Sequence, residues 1–199
     1  MKTKKLLSLS VFAALVILSG CGYNRLQSAD EAVKQSWSTV EAAYQRRFDL
    51  IPNLVETVKG YAKHEKDTLT AVMEARTKAL QATSGGGLRA EQVGDPAAIK
   101  KYTDAQSSVS SALGRLLVVV EKYPDLKANE NFRDLQAQLE GTENRINVAR
   151  VRFAESIKEY NELVRHFPTN LTAKYLLHLN VRESFSAEQG AAQAPKVAF

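Results

Sequence analysis

Apolar side chains recur every three or four positions through most of the chain, first at Val33, Trp37, Val40, Tyr44, Ile51, Val55, Val58, Ala62, Leu69, Val72 and Ala79. That spacing keeps one stripe on one side of an α-helix for many turns. Just ahead of it, Ser28-Ala29-Asp30-Glu31 has the form of a capping box, with Ser28 accepting from the free first-turn amides and Glu31 reaching back. A helix is therefore expected to begin at Ser28. Pro52 lies inside the stripe, where it removes one ladder bond and crowds the carbonyl four residues back, so a kink is expected between Phe48 and Pro52. Gly85 to Gly87 end the pattern and predict a flexible loop.

Asp95-Pro96 reads as an N-cap followed by proline in the first turn of a second helix. Its stripe is Ile99, Tyr102, Val109, Leu113, Leu116 and Val120, and it stops before Tyr123-Pro124. Leu116 to Val120 is apolar on every side, which predicts the most deeply buried turn of that helix. After a connection at Pro124 to Asn129, the run Phe132, Leu135, Leu139, Thr142, Ile146, Ala149, Phe153, Ile157, Tyr160, Val164 and Phe167 predicts a helix of about 37 residues, roughly 55 Å long. Pro168 ends it. Asn170 is expected to cap a short helix from Leu171 to Asn180, and residues 186–199 to form a loose tail. Helices of this length, joined by reversing loops, predict an all-α fold: an antiparallel up-and-down four-helix bundle, its first helix kinked at Pro52, spanning residues 28–185.

The N-terminal residues follow a different logic. Lys2, Lys4 and Lys5 precede an uncharged apolar run from Leu6 to Leu18, the layout of a secretory signal. Its 13 residues fall short of the roughly 20 that a membrane-spanning helix needs. Leu18-Ser19-Gly20-Cys21 then resembles a bacterial lipobox. Residues 1–20 are expected to be cut away and residues 21–27 to form a lipidated tether, with diacylglycerol and an N-acyl chain on Cys21. Cys21 is the chain's single cysteine, so no intramolecular disulfide is available. The expected location is the cell envelope, outside the cytoplasm. Gly22 is not the aspartate that retains lipoproteins at the inner membrane in enterobacterial-type sorting, which favours the periplasmic side of the outer membrane in a Gram-negative host.

The whole chain carries a net charge of +5, which raises nucleic acid as a partner. Three of its 27 basic residues lie in the signal segment, and 22 acidic residues face the remainder. The mature chain is close to neutral, and nucleic acid is discounted.

Two stretches carry a family resemblance. One is Arg46-Arg47-Phe48-Asp49-Leu50-Ile51-Pro52-Asn53-Leu54-Val55-Glu56-Thr57-Val58-Lys59-Gly60-Tyr61-Ala62-Lys63-His64-Glu65. The other runs from Tyr123-Pro124-Asp125-Leu126 through Asn129-Glu130-Asn131-Phe132 to Glu140-Gly141-Thr142-Glu143-Asn144-Arg145-Ile146 and Ala149-Arg150. Both are similar to signature segments of the LemA family, and the likeness covers nearly all of the mature chain. Arg152-Phe153-Ala154 departs from the usual Tyr-Asn pair, and Phe48 stands where His is common. The resemblance implies an envelope-located, four-helix up-and-down bundle, anchored by its N-terminus and without established catalysis. The leading functional reading is a membrane-tethered scaffold or adaptor for an envelope partner.

Candidate chemistry is sparse. His64-Glu65 begins like a His-Glu-x-x-His zinc helix, but Thr68 occupies the second histidine's place, so a metal-dependent or other hydrolase using His64 and Glu65 is the weaker alternative and neither metal nor cofactor is expected. Another alternative is a structural protein binding peptidoglycan or lipid. Arg46, Arg47, Asp49, Asn53, Glu56 and Lys59 bracket the proline. They are read either as a partner-binding notch or, preferentially, as an internal network pairing Arg47 or Asp49 with Glu143, Asn147 or Arg150. In that network Asp49→Ala strands a buried charge at a cost of about 3–5 kcal/mol. Tyr23, Trp37, Tyr44, Phe48 and Tyr61 are read as packing residues rather than a ligand box.

Overall fold

A computed structural model describes residues 2–84, 93 and 95–185, with the backbone alone for 2–21, 83 and 84. The glycine loop at 85–87 and the tail from 186 lie outside the described residues. Helix α1 is Lys2–Tyr61, α2 Lys66–Ser84, α3 Pro96–Val120, α4 Pro124–Ala128, α5 Glu130–Arg165 and α6 Thr169–Leu171, continued by a π-helical turn at Thr172–Leu176. No strand occurs among the described residues.

Contacts between helices fix their directions. Ser36 meets Ser156 at 2.6 Å and Arg46 meets Gln138 at 3.1 Å, so α5 runs antiparallel to α1. Trp37 packs on Tyr102 and Arg47 reaches Ser110, so α3 runs parallel to α1. α2 doubles back along α1, bringing Arg76 to Phe48. The long helices thus alternate in direction around one core, in which Val33, Val40, Ile51, Val58, Val72, Val109, Leu116, Ile146 and Phe153 are buried.

Several boundaries follow local chemistry. Asp95 Oδ1 accepts from the Ala97 amide at 3.0 Å and caps α3. Asn129 Oδ1 does the same for Phe132 at 2.9 Å and starts α5. The expected connection at Pro124 to Asn129 is itself one short helix.

Other expectations are corrected. The helix does not begin at Ser28, because α1 is continuous from Lys2. Leu26 is fully buried, extending the stripe by seven residues before Val33, and buried Gly22 lets α1 approach Thr169. Asp30, assigned to a capping box, instead pairs with Arg182 at 2.6 Å. The expected first helix is also two helices, reversing at Ala62 to Glu65. Ala62 and Leu69 are both buried there, so the apolar spacing runs through the turn and hides it. Leu116 and Val120 are buried, whereas Leu117 and Val118 are 40% and 68% exposed. At that end of α3 only one side meets another helix. Phe167 lies beyond the end of α5 and is exposed.

The expected final helix stops at Leu176, where bonds from Leu177 N to Thr172 O and from Leu179 N to Ala173 O close it. His178 adopts φ 50°, the left-handed conformation that ends helices. Residues 177–185 then form a strap over α1 and α5. Asn161 brackets the backbone of Arg182 through bonds of 2.8 and 2.9 Å, and Tyr160 donates to the Asn180 carbonyl at 3.1 Å. Phe185 lies against Trp37 and Phe153, with ring centroids 5.9 and 5.4 Å away.

Pro52 sits within α1 without ending it. It has no amide to offer the Phe48 carbonyl, and Arg76 Nε fills that place from α2 at 2.8 Å. Arg76→Met should cost about 1–3 kcal/mol by stranding that carbonyl. The cost should shrink in a Pro52→Ala background, where residue 52 regains an amide. Urea denaturation of the four proteins in a double-mutant cycle checks this, and equal costs in both backgrounds contradict it.

Candidate functional site

The most constrained polar group is Arg47, whose side chain is 3% exposed in the middle of the core. Its Nη1 donates to Ser110 Oγ at 3.1 Å and to Glu143 Oε2 at 3.2 Å, and Nη2 donates to the side-chain oxygen of Gln106. The guanidinium also lies 5.0 Å from the Tyr44 ring centroid. One side chain on α1 therefore ties α3 to α5. Gln106 is the α3 position that the apolar spacing skipped between Tyr102 and Val109. That gap was the signal available for it, while Ser110 left none.

Tyr102 packs edge-on against Trp37 and Tyr44, at 5.0 and 5.3 Å between centroids. Burial holds its phenol protonated well above the usual tyrosine range. Glu41 lies beside this aromatic group, and burial raises its carboxyl above the ordinary value while the nearby Trp37 indole opposes the shift.

The other polar residues singled out around Pro52 do not converge. Arg46 is exposed and bonds Gln138 on α5. Asp49 is exposed and accepts from Gln45 at 2.8 Å. It stands two positions from Arg47, on the opposite side of the helix, so the buried charge is the arginine and the large cost assigned to Asp49→Ala is corrected. Asn53 and Asn147 are exposed, and Arg150 lies over the Phe185 ring at 4.7 Å. Glu56 and Lys59 form an exposed pair at 3.1 Å. Of the aromatic set, Trp37, Tyr44 and Phe48 are buried, whereas Tyr23 and Tyr61 are exposed.

His64 and Glu65 stand in the α1–α2 reversal rather than on a helix. His64 is exposed, and Glu65 accepts from the Tyr123 hydroxyl at 3.2 Å, while Asn129 donates to the Tyr61 hydroxyl at 2.9 Å. These bonds fasten the reversal to α4 and α5. Among the described residues no group of three His, Cys, Asp or Glu side chains is placed to hold a metal ion.

Beside this reversal α1 and α2 border a groove of about 900 Å³. Val55, Leu69 and Met73 form an apolar floor. Lys59, Lys63, Lys66 and Lys78 stand on its rim, against Glu56 and Glu74. Such a site can bury an apolar side chain while pairing acidic groups at its edge. The polar residues read from sequence contributed Glu56 and Lys59 to it. Of its floor, Val55 and Leu69 were read only as core, and Met73 was not singled out.

The model of the LemA family matches residues 36–199. Among curated relatives, Magnetosome protein MamQ 1 of Paramagnetospirillum magneticum is 28% identical over 179 residues, covering 84% of this chain and 65% of the relative. Magnetosome protein MamQ of Magnetospirillum gryphiswaldense matches to the same extent. Protein LemA of Metamycoplasma hominis is 23% identical over 158 residues, covering 79% of this chain and 66% of that protein. The chain spans just under two thirds of the length of these relatives.

Glu143→Ala should destabilise the protein by about 1.5–3 kcal/mol, because it leaves the Arg47 charge buried with neutral partners. Arg47→Met combined with Glu143→Ala should recover part of that loss, and Asp49→Ala should change stability by no more than about 0.5 kcal/mol. Chemical denaturation measures all three, and a double variant less stable than Glu143→Ala contradicts the account. For Glu41, a carboxyl that holds its proton more tightly in the folded state disfavours folding once the unfolded form ionises. Stability should therefore fall as pH rises from below the ordinary glutamate pKa through the raised value. Glu41→Gln should flatten that decline and melt higher than wild type at pH 7. An unchanged pH profile contradicts the assignment.

Proposed function

The chain belongs to the LemA family, and from that premise we propose that it is a membrane-anchored envelope protein working as a non-enzymatic scaffold. It is tethered through lipid on Cys21 and presents the α1–α2 groove to a partner. The anchor rests on the residues before it: a charged start, an apolar run of 13 and Leu18-Ser19-Gly20-Cys21. Cleavage before Cys21 leaves a helix that starts at the acylated residue and enters the body at once. Among the described residues no helix is long and apolar enough to cross a membrane.

The observation that carries the scaffold role is the groove itself. It lies at the end of α1 farthest from Cys21, with an apolar floor inside a rim richer in lysine than in glutamate. An occupant that matches both features is an amphipathic helix with acidic flanks, its apolar side chains on Leu69 and Met73 and its carboxylates among the lysines. Arg76 fastens α2 to α1 through the Phe48 carbonyl, so the two walls of the groove are joined before a partner binds and little is lost in ordering them.

Mass spectrometry of protein taken from its native membrane should show a chain beginning at Cys21 with diacylglycerol on sulfur and an N-acyl group. Cys21→Ser should move the protein from the membrane to the soluble fraction, and residues retained before Cys21 contradict the anchor. For the groove, a photocrosslinking residue at Thr70 should give a discrete adduct in cells whose captured segment is acidic and amphipathic. Reversing charge at Lys59, Lys63 and Lys66 should abolish it, and the same probe at Lys158 should give none. An adduct that survives the charge reversal contradicts the proposed occupant.

A further inference from the structure

The C-terminal helical turns bury one side and leave the other uncovered. Thr169, Thr172 and Ala173 face inward. A Cβ added to Gly22 would stand 3.2 Å from Thr169 Cγ2 and 3.6 Å from Thr172 Oγ1, so α1 meets this segment at close range. Gly22 follows Cys21 directly, and the two Cα atoms are about 3.8 Å apart.

The uncovered side carries Phe167, Leu171, Tyr175 and Leu176, exposed by 79, 48, 70 and 61%. Leu171 and Tyr175 are one helical turn apart and share a face. Four large apolar side chains on one short segment are a patch rather than scattered surface residues. Lys174 stands among them, its ammonium 5.6 Å from the Tyr175 ring centroid, and Arg165 closes α5 just before them. Aliphatic and aromatic side chains flanked by cations suit a membrane surface, where rings sit at headgroup depth and long cationic side chains reach the phosphates.

Resting on the anchored reading above, we infer that Phe167 to Leu176 is a second contact with the bilayer, seated among anionic headgroups beside the lipid on Cys21. The position of the patch selects the bilayer as its occupant. Acyl chains inserted from Cys21 bring the membrane surface to the residue next to Gly22, and Gly22 touches the inner side of this segment. Lipid on one residue fixes where the protein is but leaves it free to swing. A second contact fixes how it stands. The stretch of α1 from Gly22 to Val55 and Lys59 then carries the lysine-rimmed groove roughly 50–55 Å along the helix axis from the attachment point.

Tryptophan depth measurements test this with the full acylated protein in phosphatidylcholine–phosphatidylglycerol vesicles. Trp37 is the chain's one tryptophan and is 3% exposed, so its signal is a constant background. A reporter at Tyr175→Trp should emit to the blue of a control at Val118→Trp, which is exposed near the C-terminal end of α3, away from Cys21. Lipids brominated near the headgroup should quench the Tyr175→Trp reporter several-fold more than the control. If the protein floats with the vesicles but both reporters are quenched equally, the second contact is overturned and the anchor stands. If Cys21 carries no lipid and the protein stays in the supernatant, the anchor is overturned and this inference with it.

Discussion

The burial of one unbroken stripe along α1 is the constraint on which the rest of the structure depends. From Gly22 and Leu26 to Val58 and the reversal at Ala62, that helix places a buried side chain in nearly every turn; α5 and α2 pack against part of it, and α3 meets it through Tyr102 and Ser110. Each large apolar side chain so buried contributes about 1.5–3 kcal/mol before the cost of ordering it. The packed part of α1 thus begins at Gly22. Its N-terminal turn is therefore as much part of the body as its centre, and a lipid attached at Cys21 would be attached to the rigid core.

Two arginines answer the two places where that helix departs from simple packing. Arg47 is a charge inside the core, and it is tolerated because Ser110, Gln106 and Glu143 converge on it from the facing helices. Arg76 completes the Phe48 carbonyl that Pro52 leaves without a helical partner. Neither arrangement has the form of a catalytic centre, since each guanidinium is committed to holding helices in register. Their effect on function is indirect. They hold the neighbouring helices against α1, which supplies one wall of the α1–α2 groove on which the proposed scaffold role rests.

Much of the architecture was legible in the sequence because it is written in local chemistry. Asp95-Pro96, Asn129 and the three-and-four spacing of α5 declare their helices directly. The reversal at Ala62 to Glu65 was hidden because Ala62 and Leu69 stay buried whether the chain continues or turns back, and no proline marks the break. The start of α1 was misplaced for a related reason. Ser28 to Glu31 fits a cap, but Leu26 extends the buried stripe and Asp30 pairs with Arg182, far away in sequence. Site residues show the same division. Gln106 could be found as a gap in a stripe and Arg47 as a charge within a helix, whereas Asp49 was given a buried role that its place on the opposite face of α1 denies it. The groove and the strap at residues 177–185 depend on how helices meet, which spacing along one helix does not record.

The direct test of a rigid union between anchor and body is amide hydrogen exchange across the first turns of α1 in the membrane-derived protein. Continuous helix from Cys21 onward predicts that Arg25, Leu26, Gln27 and Ser28, whose amides bond to carbonyls four residues back, exchange about as slowly as those from Val33 to Val40. Exchange of those four at the rate of an unstructured chain, with protection beginning only beyond Ser28, would contradict the account and restore a flexible tether.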